Sequence, residues 1–122
     1  MLTRARLLLF SIFLFATPAR ADDISFQFSW KGVTSCRSIS GSPEMTIHNY
    51  PKHAKRVMLI LTQDGKLPRG GQEVDLPADG RIPAGAAVTM GPCNPGMYRW
   101  TAIFKSEAGQ VLAEAHVDSQ YP

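Results

Sequence analysis

From Gly32 onward, proline and glycine interrupt this chain roughly every 8 to 15 residues, which leaves no stretch free for a long amphipathic helix. The segments between the breaks carry the two-residue repeat of strands. Ile24-Ser25-Phe26-Gln27-Phe28-Ser29-Trp30 alternates apolar and polar without exception, which predicts a half-buried strand. Met45-Thr46-Ile47-His48 repeats the pattern over a shorter length. Arg56 to Thr62 is an apolar run too short for a typical helix and bounded by turn residues, which reads as a central strand buried on both faces. Gln63 to Gln72 and Gly91 to Gly96 read as loops, and Val74, Leu76, Ile82, Val88 and Met90 as apolar positions of short extended segments. Tyr98 to Phe104 is a strand, Glu107-Ala108-Gly109 a turn and Gln110 to Val117 a closing strand. The fold class expected is all-β, a small β-sandwich of short strands, with no internal repeat.

The first 21 residues stand apart. Arg4 and Arg6 precede an uncharged apolar core from Leu7 to Ala16, and Ala19-Arg20-Ala21 supplies the small-x-small pattern of a signal-peptidase site. Thr17, Pro18 and Arg20 end the run well short of the roughly 20 apolar residues that a membrane span needs. Residues 1–21 therefore read as a cleavable signal peptide and 22–122 as one domain, periplasmic or secreted, with no membrane span in the mature chain. A short buried N-terminal helix is the competing reading, but nothing polar in this stretch would solvate its outer face.

Three of the 13 basic residues (Arg4, Arg6 and Arg20) leave with the leader while all 10 acidic residues stay, so the mature chain is charge-balanced. The basic character of the whole sequence thus gives no argument for nucleic acid or anionic lipid, and no basic run with interleaved aromatics restores one. The mature part carries two cysteines, Cys36 and Cys93. In an oxidising compartment an even count favours a disulfide, and a small domain with a limited core gains from one. Two buried thiols or a metal pair are the alternatives.

No nucleophile–base motif, no metalloprotease helix motif and no phosphate-cradling glycine loop is present, so neither an enzyme nor a cofactor is expected. His48, His53 and His116 with Met45, Met58, Met90 and Met97 offer imidazole and thioether ligands suited to copper. Their spacing is not that of metal ligands, and methionine is an ordinary core filler, so no metal site is expected.

The most specific stretch is Gly91-Pro92-Cys93-Asn94-Pro95-Gly96-Met97-Tyr98-Arg99-Trp100. It resembles the G-P-C-P-P-x-G-x-H-R-Y segment of the phosphatidylethanolamine-binding protein family, in particular its bacterial Raf-kinase-inhibitor-like branch. Cys36 to Ile47 is similar to that family's C-x-G-x-N-x-S-P-x-L-x-W, and Pro51 to Asp64 to its P-x-x-x-K-S-x-x-L-x-x-x-D strand. The match spans about Cys36 to Ala113. It departs where the family has D-P-D-A-P, because Asp64-Gly65-Lys66-Leu67-Pro68 keeps the first Asp and the Pro and replaces the second Asp by Lys66. No histidine lies near Gly71-Gln72-Glu73, and Tyr98 occupies the histidine position of G-x-H-R.

The resemblance implies a pocket for a phosphate-like head group, of which Asp64, Tyr98 and Arg99 remain as candidate ligand-binding residues. An Arg–Asp pair beside a tyrosine hydroxyl can hold a small anion by charge-assisted hydrogen bonds. Asp64 and Arg99 have a second reading, in which they only pin two loops together. Two function classes follow: a non-enzymatic binder of a small anionic ligand, or a periplasmic immunoglobulin-like module that contacts another protein. Convergence of Asp64, Tyr98 and Arg99 beside the Gly91–Gly96 loop would favour the first, and dispersal the second.

Overall fold

The computed structural model describes residues 23–122. The signal peptide and its cleavage site lie outside the described residues. Among those described, the chain forms nine strands: β1 (Ser25–Phe28), β2 (Ser40–Gly41), β3 (Met45–His48), β4 (Arg56–Gln63), β5 (Leu67–Asp75), β6 (Arg81–Ile82), β7 (Val88–Thr89), β8 (Gly96–Lys105) and β9 (Val111–Tyr121). No helix among the described residues is long and apolar enough to cross a membrane. The fold is all-β, as the chain's punctuation requires.

A four-stranded antiparallel sheet, ordered β5-β4-β8-β9, makes one layer. A three-stranded sheet, β1-β3-β6, makes the other, and a two-stranded ladder, β2-β7, flanks the β5 edge. Their inner faces share one core. Val57, Leu59 and Leu61 of β4 and Tyr98, Trp100, Ala102 and Phe104 of β8 meet Phe26, Met45, Ile47 and Ile82 from the opposite layer, all buried. Alternate residues of a strand point to opposite faces, so a two-residue apolar repeat on β4 and β8 is what buries one face of each. An edge-to-face aromatic group closes one end of the core, with Trp30 against Phe28, Tyr98 and Tyr121 at centroid separations of 4.8, 5.6 and 5.3 Å. At the other end Tyr50 stacks on Phe104.

Two expectations need correction. Gln63 to Gln72 is not a loop: β4 turns into β5 through Asp64-Gly65, both at positive φ (52° and 67°), with the Lys66 N–H donating to the Gln63 carbonyl at 3.0 Å. An Asp-Gly pair between strands is the residue choice for a two-residue hairpin turn, because both central positions need left-handed backbone. The alternation of β5 is weak, since Pro68, Gly70 and Gly71 dilute it, and this hid the strand. Nor is β4 buried on both faces. Val57, Leu59 and Leu61 are buried while Met58, Ile60 and Thr62 are half-exposed, because nothing among the described residues covers the outer side of this sheet.

The Cys36–Cys93 disulfide forms, with Cα atoms 4.3 Å apart and 57 residues of separation. It joins the loop before β2 to the loop before β8. Two backbone bonds flank it, Cys36 N–H to Pro92 O at 3.0 Å and Gly91 N–H to Arg37 O at 2.9 Å. Here the chains approach so closely that a Cβ on Gly91 would lie 2.7 Å from the Thr34 carbonyl oxygen, so only glycine fits. Closing a loop of this length is worth about 4 kcal/mol on the chain-entropy account. Replacing both cysteines by serine is expected to lower the unfolding free energy by about 2 to 4 kcal/mol. A urea melt reads this as a fall in midpoint, and an unchanged midpoint would deny the bond a stabilising role.

Candidate functional site

Period-two alternation on β8 decides the site. Even-numbered residues from Tyr98 to Phe104 face the core, and odd-numbered ones from Arg99 to Lys105 face outward. Tyr98 and Arg99 are neighbours in sequence and therefore sit on opposite sides of the sheet. Tyr98 is fully buried, and its hydroxyl donates to the Asn94 carbonyl at 2.9 Å, tying down the Gly91–Gly96 loop from inside. It cannot take part in a site on the outer face.

Arg99 reaches outward, and there it meets Asp118 on β9, directly across the ladder. Its Nε donates to Oδ1 at 2.7 Å and its terminal nitrogen to Oδ2 at 3.1 Å, a bidentate fork. Asp64 has another task. Its backbone N–H donates to the Met97 carbonyl at 2.7 Å, and its carboxylate accepts the Met97 N–H at 3.2 Å, so it caps the turn where β4 ends against β8. Among the described residues no ion pair joins Asp64 to Arg99: the Asp64 carboxylate meets the backbone of Met97, and Arg99 pairs with Asp118.

Asp64, Gly65, Met97, Arg99 and Asp118 do line one shallow depression on the outer face. Its chemistry is that of one guanidinium facing two carboxylates, and the guanidinium's fork is already occupied. A phosphate entering here would meet net negative charge. Arg69 supports the same end of the molecule: its side chain donates to the Gly91 carbonyl, and its own carbonyl accepts the Met90 N–H at 2.7 Å, fastening β5 to the Gly91–Gly96 loop.

Farther along the outer face, Glu73 of β5 accepts from Lys105 at 3.0 Å and pairs with Arg56 at 3.3 Å. Between this cluster and the Arg99–Asp118 fork lie the half-exposed Met58, Ile60, Thr101 and Ile103. Among the described residues no three His, Cys, Asp or Glu side chains gather as metal ligands. Of the methionines weighed for copper, Met45 is in the core while Met90 and Met97 are exposed.

Asp118 and Arg69 were not singled out from the sequence. Counting outward from the Glu107-Ala108-Gly109 turn brings Asp118 within one residue of Arg99. The pairing slips between Phe104 and Lys105, where Leu112 is extra on β9, and that slip is what sets Asp118 rather than Val117 opposite Arg99. A one-residue shift exchanges the two faces, so the partner was out of reach without the bulge.

The hydrogen bond from Arg99 holds the Asp118 carboxyl below its ordinary range; burial opposes this, and the charges of Arg99 and His116 assist. Arg99 is correspondingly raised, first by the same bond. Glu73 is lowered chiefly by its hydrogen bond from Lys105. A carboxylate with a depressed folded pKa stabilises the fold above its unfolded value, about 4, and loses that contribution as pH falls through the folded value. Acid unfolding of the wild type is therefore expected to include a step below about pH 4 that Asp118→Asn diminishes. Melting temperatures taken from pH 7 down to about pH 2 check it, and parallel curves for the two proteins would show that the fork contributes nothing to the fold.

No protein-family model matches this chain, and neither a curated protein nor a solved structure matches it.

Proposed function

We propose that this chain is an exported, disulfide-stapled β-sandwich that works by protein contact and not by catalysis. The observation that carries this reading is the fate of Arg99: its guanidinium is engaged by Asp118 in a two-point fork, while Tyr98 is turned into the core. The three residues that a phosphate pocket would need are dispersed over two faces of the sheet. The leader of residues 1–21 and the disulfide support export, since such bonds persist in oxidising compartments.

A second reading keeps the family likeness. Asp64 and Arg99 line the same depression, next to the loop that carries the Gly-Pro-Cys motif. On that reading the domain is a shortened phosphatidylethanolamine-binding-like protein holding a small anion, and the ligand would have to displace Asp118 from Arg99.

Melting the protein over a series of inorganic phosphate concentrations separates the two. The contact-module reading expects no saturable rise in melting temperature. It also expects Arg99→Ala and Asp118→Ala to destabilise the fold by the same small amount, since the pair is exposed. The double variant should cost no more than either single one, because the two side chains share one interaction. A saturable phosphate-dependent rise that Arg99→Ala abolishes would establish the anion-binding reading instead.

A further inference from the structure

The two edges of the four-stranded sheet are finished differently. The free side of β5 is covered by the segment Val88 to Gly91: Met90 N–H donates to Arg69 O at 2.7 Å and Val88 N–H to the Gln72 side-chain oxygen at 3.1 Å. β9, the other edge, is 11 residues long. Among the described residues, the bond it receives on its backbone from outside the β8 ladder is that of the Trp30 indole N–H, at the Gln120 carbonyl near its C-terminal end, 3.1 Å. Natural edge strands are commonly guarded by shortness, by charged side chains, above all lysine, or by proline or a bulge, and of these β9 carries the carboxylates of Glu114 and Asp118. β9 contains no lysine and no proline, and its single irregularity lies at its start, at Leu112.

Deepening the contact-module reading, on which it rests, we propose that the partner of this edge is a second copy of the same chain, paired antiparallel along Ala113–Val117 about a two-fold axis at Ala115. The polar side chains on β9 select that register. In it, Glu114 stands opposite His116 of the second copy, and His116 opposite its Glu114, so that two complementary pairs form on the outer face. On the inner face Ala115 meets Ala115, and Ala113 meets Val117, all apolar and small enough for a close seam. Directly opposed side chains in antiparallel strands lie close enough for such pairs to matter, and like charges placed there repel.

The neighbouring registers fail for stated reasons. An axis at His116 sets Glu114 against Asp118 twice, and an axis at Glu114 sets that residue against itself. An axis at Val117 pairs His116 with Asp118, but it draws Gln120 and Tyr121 into the ladder. The Gln120 carbonyl is taken by Trp30, and the Tyr121 ring packs edge-on against Trp30 at 5.3 Å. The pairing joins two four-stranded sheets into one of eight and satisfies both open edges at once, which an isologous contact does by symmetry.

Sedimentation velocity on the protein, expressed with its leader in a bacterial host and purified after export, tests the pairing from about 1 to 200 µM, the range of a modest interface. A monomer–dimer equilibrium is expected. His116→Glu should raise the dimer dissociation constant by about tenfold or more, since it creates two like-charge pairs. The exchange Glu114→His with His116→Glu should restore it. Both positions are exposed, so neither variant touches the core, and circular dichroism confirms that each is folded. A protein that stays monomeric throughout, or a dimer indifferent to His116→Glu, overturns the proposal. A phosphate series on the same samples keeps this result apart from the underlying reading: saturable phosphate-dependent melting strikes that reading, whereas a monomer without it strikes only the self-pairing.

Discussion

The two-residue repeat of β8 is the constraint from which the rest of the molecule follows. This strand pairs on both sides, with β4 and β9, and every second side chain from Tyr98 to Phe104 is driven into the core by its apolar surface. Once Tyr98 and Trp100 are inside, Arg99 and Thr101 must be outside. The position of the guanidinium, its access to Asp118 and the exclusion of the tyrosine hydroxyl from that face are then matters of geometry rather than of local preference.

Much of the fold was legible because apolar periodicity and turn chemistry agreed. The alternation of β1 and of β3, and the core-facing repeat of β8, are visible in the residue order alone, whereas the pairing that sets Phe26 against Ile47 is not. The same repeat also carried the information that Tyr98 and Arg99 cannot share a site, since adjacent strand residues face opposite ways. Motif likeness groups residues by their order along the chain, whereas a strand separates them by parity. Where the two disagree, parity prevails, because flipping one residue would expose every buried neighbour along the strand.

Less legible were the features set by single local irregularities. Asp64 attracted attention as a charged residue at a motif position, yet Asp64-Gly65 is equally the residue pair of a tight hairpin, and the carboxylate serves the Met97 backbone there. The role of Asp118 depended on one extra residue at Leu112. Such an insertion leaves hardly a trace in composition or hydropathy, yet it decides which side chains meet across the entire β8–β9 ladder. The outer face of the sheet was misread for a different reason: an apolar run like that of β4 marks a strand, but it does not say how much covers each side.

The Cys36–Cys93 bond has a consequence for how the molecule assembles. β4 and β8 are partners at the centre of the sheet although β5, β6 and β7 intervene between them in the chain, so the central pairing is non-local, and such pairings form slowly because a long loop must close first. Cys93 lies just ahead of β8, while Cys36 lies upstream of β4. Oxidation therefore opens a shorter covalent route between the two strands than the one through the intervening β5, β6 and β7. Sheet closure and thiol pairing each raise the effective concentration for the other, so that oxidation acts on the rate at which the sheet is completed as well as on its final stability.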